Sequence, residues 1–77
     1  MNNKRRKRLC GVSEDVSKCI STVESILSEE EDSLDNVPEN LQGGNPYFIL
    51  EDNVDLLNDI VVKLEEVVDM ISELRSR

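Results

Sequence analysis

An unbroken heptad runs through residues 46–74, PYFILEDNVDLLNDIVVKLEEVVDMISEL, and it commits that stretch to one long helix with a partner along its seam. With Tyr47, Val54, Val61 and Val68 at position a, Leu50, Leu57, Leu64 and Ile71 fall at d, alternating by four and three without a slip. A second apolar row, Ile49, Leu56, Ile60, Val67, Met70 and Leu74, follows the neighbouring c and g positions. The apolar surface is thus wider than one opposing helix can cover, which predicts that this row is an interface with a second copy or with another protein.

From Leu9 onward a second set of apolar positions, Val12, Val16, Cys19, Ile20, Val23, Ile26, Leu27 and Leu34, is spaced by threes and fours and predicts an amphipathic first helix. Its start has two readings. A helix from near Asn3 sets the five cations of Lys4, Arg5, Arg6, Lys7 and Arg8 on the positive end of its own dipole and carries Gly11 in its interior. A start with Ser13 as N-cap avoids both and leaves residues 1–8 as a basic arm. Leu9 and Val12 keep the heptad phase and favour the longer helix with a frayed first turn. The helix is expected to end near Asn36, which tolerates the left-handed C-terminal conformation, with Pro38 disfavouring helical geometry at Val37. PENLQ suits one short helical turn. Gly43 and Gly44 then give the backbone freedom to reverse, and Asn45 followed by Pro46 reads as N-cap and first turn of the second helix.

The expected architecture is all-α: an antiparallel hairpin of helix 3–36, turn 37–45 and helix 46–75, assembling into a four-helix bundle, most simply as a homodimer. With 77 residues there is room for one domain only, and a single core of this size rarely stabilises a chain without a staple or an associated partner. Cys10 and Cys19 do not supply the staple, because nine residues along one helix hold their Cα atoms roughly 13 Å apart. They are expected as free thiols or intermolecular ones, and the lack of a pairing geometry suits a reducing compartment, with Cys19 as a small buried hydrophobe on the first helix's seam.

Composition removes several kinds of chemistry. The chain has no His and no Trp and only one Tyr and one Phe. The commonest general base and metal ligand is therefore missing, and with it triad catalysis and most zinc sites. The acids at 29–32 and at Glu51, Asp52, Asp55 and Asp59 lie on expected helices without the tight glycine turn of a calcium loop, so a solvated helix face is their simplest role. The reading is of a non-enzymatic protein without cofactor or metal. The basic start is followed by LCGVSEDVSK rather than an apolar run, so no export signal is expected, and no stretch reaches the length of a membrane span.

Charge is divided along the chain. Five of the nine cations fall in KRRKR, while all seventeen carboxylates lie elsewhere and the net charge is −8. In a hairpin, Lys4–Arg8 come beside Arg75 and Arg77, while Glu29, Glu30, Glu31, Asp32, Asp35, Glu39, Glu51 and Asp52 gather at the tip. The basic end could contact nucleic-acid phosphates, but no aromatic residues interleave it and overall acidity opposes a large phosphate footprint. The acidic surface could instead occupy a basic groove on a protein, carboxylates standing in for phosphates.

The centre formed by Asp35, Asn36, Pro38, Glu39, Leu41 and Gln42, a DNxPExLQ pattern, lies between a basic start of the Met-Asn-Lys type and an acidic second helix. In this it resembles a loose group of short acidic helical-hairpin proteins encoded by phages and bacterial mobile elements, departing from them at Gly43 to Ile49, where they are more polar. The resemblance spans most of the chain. It implies a viral or mobile-element origin in a bacterial cytoplasm and carries no shared biochemical activity. Taken with size and acidity, it points to a protein that binds another protein, such as an inhibitor of a bacterial defence system. The alternatives are a nucleic-acid accessory protein acting through Lys4–Arg8, and a purely structural hairpin.

Overall fold

The computed structural model describes residues 1–77 and shows two helices, α1 (Asn3–Asp35) and α2 (Asn45–Arg75), separated by a single 3₁₀ turn, Glu39–Leu41. They pack along their whole length as an antiparallel hairpin, 60 × 15 × 13 Å, with no strand. The all-α hairpin dictated by the heptad of α2 is what forms.

α1 begins at Asn3 because Asn2 caps it. The Asn2 backbone is extended, and its Oδ1 accepts the Arg5 N–H at 2.8 Å, which supplies one of the acceptors that a helix start lacks. The basic residues are therefore helical, and Ser13 lies in the helix interior. At the other end the Asn36 N–H reaches the Asp32 and Leu34 carbonyls, and Val37 donates to Leu34 at 3.2 Å, closing the last turn tightly before Pro38, which has no N–H to offer.

The reversal corrects two expectations. Asn36 is not left-handed: its φ is −88°, and no residue of the chain, glycines included, has a positive φ. The 3₁₀ turn bends the chain instead, with Leu41 donating to Pro38 and Gly44 to Leu41. Asn45 is also not the cap of α2. Gly44 takes that place with extended backbone, and its carbonyl accepts from Tyr47 and Phe48, so Asn45 becomes the first helical residue and Pro46 the second. Proline there costs nothing, because the N–H it lacks would be unpaired in any case.

The seam of α2 is the expected one: Tyr47, Leu50, Val54, Leu57, Leu64 and Val68 are half-buried, and Val61 and Ile71 are buried. The seam of α1 differs from the sequence reading. Its inward positions are Arg6, Leu9, Ser13, Val16, Ile20, Val23, Leu27, Glu30 and Leu34, an unbroken alternation of three and four with polar residues at three places. Val12, Cys19 and Ile26, each one position before a seam residue, turn about 100° away and are exposed. Cys19 is thus not a buried hydrophobe. Val61 and Ile71 are the only buried residues of the chain.

Candidate functional site: the two sides of the hairpin

An antiparallel pair brings the g positions of both helices to one side and the e positions to the other. In α2 the g residues are Asn53, Ile60, Val67 and Leu74, with Ile49, Leu56, Lys63 and Met70 at c beside them. In α1 the g residues are Val12, Cys19, Ile26 and Ser33. The two rows share a surface: Ile26 lines one shallow groove with Leu56 and Ile60, and Val12 lines another with Leu9 and Leu74.

All six residues of the second apolar row of α2 are exposed, from 38% for Leu74 to 66% for Met70. Val12, Cys19 and Ile26 widen that row into an apolar side that spans both helices. Sequence reasoning found the α2 half and assigned the α1 half to the core. The available signal was that a seam through Leu9, Val16, Ile20 and Val23 leaves Val12 and Cys19 off phase.

The opposite side carries the e and b residues Glu24, Glu31, Glu51, Asp55, Glu65 and Asp69, with Phe48 and Val62 as isolated exposed apolar residues. Asp52, Asp59, Glu66 and Glu73 line the outer edge of α2. At the tip, Glu29, Glu31, Asp32 and Asp35 of α1 come to the same end of the rod as Glu51 and Asp52 of α2, all exposed but Glu51, which is half-buried. Glu30 stands apart from them, since it occupies the seam and accepts from Asn53 Nδ2 at 3.2 Å. No three acidic or thiol side chains converge as a metal would require.

At the other end, Asn3, Arg6, Lys7 and Cys10 of α1 border one groove with Arg75 of α2, so the cations do assemble. Arg6 lies on the seam and donates to the main-chain oxygen of Arg77 at 2.7 Å, while its Nε is enclosed without a partner. Lys4, Arg5, Lys7 and Arg8 are exposed. The one ion pair of the chain is local, Arg77 with Glu73, and largely exposed. Both cysteines are free thiols. No helix is long and apolar enough to cross a membrane.

Comparison with protein-family models, with curated proteins and with solved structures finds no match. The class of protein is therefore defined by its own geometry: a two-helix hairpin with one apolar side, one acidic side, an acidic tip and a basic end.

Proposed function

We propose that this chain is a small non-enzymatic protein of a phage or bacterial mobile element that works in the host cytoplasm by binding other protein chains, as an inhibitor of a host defence system. The observation that carries the protein-binding reading is the apolar side running along both helices, from Val12 and Leu74 near the termini to Ile26 and Leu56 towards the tip. A contiguous apolar side of this kind is characteristic of a surface that another protein covers. The acidic tip then remains outside, where its carboxylates complement a basic groove on a target. The resemblance of the Asp35–Gln42 centre to phage-encoded hairpins supplies the setting.

The test has two arms. Proteins captured from a bacterial host by the full chain are purified and titrated against the wild type and against a variant with Glu29, Glu31 and Asp32 changed to Gln. Binding of one purified target that weakens at least tenfold in the variant supports the reading. A gel shift with duplex and single-stranded DNA is run at low and moderate salt. A shift that weakens steeply with salt and vanishes when Lys4–Arg8 are neutralised would overturn it in favour of nucleic-acid binding.

A further inference from the structure

We infer that the apolar side is covered by a second copy of the same chain, stacked face to face and inverted end for end about a two-fold axis that passes beside Cys19. The inference rests on the reading that a protein covers this side, and it names the occupant.

Two sides that stack by a two-fold operation can do so in only two ways. An axis along the helices leaves both copies pointing the same way and sets basic end on basic end. An axis across the helices inverts the second copy, so that α1 lies on α1 and α2 on α2, both antiparallel. The charges of α1 favour the second. On α1 the rim of the apolar side carries Arg5 and Arg8 near the termini, Asp15 further in and Glu29 towards the tip, while the outer edge of α2 is acidic along its length at Asp52, Asp59, Glu66 and Glu73. Inversion alone brings the unlike charges at the two ends of α1 together.

The register follows from the same residues. Setting Arg8 opposite Glu29 of the second copy fixes the axis midway between them along α1, beside Cys19. Val12 then meets Ile26 of the second copy, and the two Cys19 side chains meet each other. The level of this axis on α2 is set independently by the hairpin itself. Arg6 bonding at Arg77 and Glu30 at Asn53 share one offset, which puts Cys19 level with Leu64. Inversion about that level brings Ile60 close to Val67 and Leu56 within a helical turn of Met70 of the second copy. Moving the axis by half a heptad towards the tip would instead oppose Val12 with Ser33. Both helices therefore accept nearly the same axis, and a surface that is self-complementary under inversion is what a second copy requires and a foreign partner does not.

The need and the size agree. A single hairpin buries only Val61 and Ile71. Its long side, within a 60 × 15 Å outline, is of the class that provides the ~800 Å² per partner of a stable interface. Lys63 lies near the axis at the rim, one helical turn from both Asp59 and Glu66, where its stem can extend over apolar surface with the ammonium in water.

The experiment uses the reduced full-length chain at tens of micromolar. Sedimentation equilibrium gives a dimer mass, and a short bifunctional maleimide joins two chains through Cys19. The cross-link survives Cys10→Ser and is lost in Cys19→Ser, because inversion sends the two Cys10 residues to opposite ends of the dimer. Arg8→Glu and Glu29→Arg each weaken association on the order of tenfold, and the double exchange restores it. Since these are surface positions, the charge series remains decisive even where an apolar-side variant such as Ile60→Glu, Val67→Glu loses helicity. A monomeric wild type overturns the inference while leaving a foreign protein as the occupant. A dimer cross-linked through Cys10, or a double exchange that fails to restore association, overturns the inverted stack.

Discussion

Asn53 reaches across the hairpin and donates from Nδ2 to Oε2 of Glu30 at 3.2 Å, at the one acidic position in the seam of α1. Together with Arg6 at Arg77 it marks the same helix offset near opposite ends of the rod. Apolar seam contacts are nearly interchangeable from one heptad to the next, whereas these polar ones are met in a single register. Glu30 thus favours register over stability, the role best attested for polar residues in helical seams.

Replacing it should separate the two quantities. Glu30→Leu puts an apolar side chain in the seam and leaves Asn53 free to bond water, so the expected result is a gain of about 1 kcal/mol. Denaturant unfolding at fixed protein concentration measures it. A loss of stability would mean that the Asn53 bond contributes more than an exposed hydrogen bond normally does.

Neighbouring leucines offer a contrast. Leu57 is half-buried on the seam, while Leu56 is 60% exposed on the apolar side. In the isolated hairpin Leu57→Ala is expected to cost about 2 kcal/mol and Leu56→Ala less than about 0.5. The inferred stacking of two copies predicts that the Leu56 variant becomes destabilising as well when protein concentration is raised. A concentration-independent pair of values would place Leu56 outside any interface.

α2 was legible because Tyr47 to Ile71 fill every a and d position with an apolar residue. α1 was legible as a helix but not in its rotation. Three of its nine seam positions are Arg6, Ser13 and Glu30, while Val12, Cys19 and Ile26 compete from the next row, so counting apolar residues cannot choose between the rows. Arg6 and Glu30 become intelligible on a seam only once Arg77 and Asn53 stand opposite them. The loop misled for a related reason. Two adjacent glycines suggest left-handed backbone, but hydrogen bonds of the 3₁₀ turn, such as Leu41 to Pro38, reverse the chain without it. The acidic tip and basic end needed only charge order and one reversal, and both were visible.

Those glycines make a prediction. With negative φ throughout, a side chain at Gly43 or at Gly11 strains nothing, and an added Cβ meets no atom within 4 Å at either. Gly11→Ala should stabilise α1 by about 0.5–1 kcal/mol and Gly43→Ala by roughly 0.4–1, through the lost freedom of the unfolded chain. At Gly44 the Cβ would stand 3.4 Å from the Leu41 carbonyl oxygen, so Gly44→Ala is expected to be near neutral. Thermal midpoints of the three variants test the order.

The first turn of α1 is held by its cap against its own charge. Five cations, Lys4–Arg8, occupy the positive end of the helix dipole, and no acidic residue lies in that turn to offset them. What opposes fraying is Asn2 Oδ1 on the Arg5 N–H at 2.8 Å and the Arg6 bond to the Arg77 main-chain oxygen at 2.7 Å. Asn2→Ala should remove about 1 kcal/mol from this turn. Because a frayed end opens without the rest of the hairpin, the loss should appear as faster amide exchange at residues 5–8 with little change at Val61 or Ile71. Salt has a defined sign here. Screening weakens repulsion among the cations and with the dipole, so protection of this turn should rise between low and moderate ionic strength in the wild type. A fall in protection would mean that attraction to acids holds the basic end in place, and would shift the weight from the Asn2 cap to those pairs.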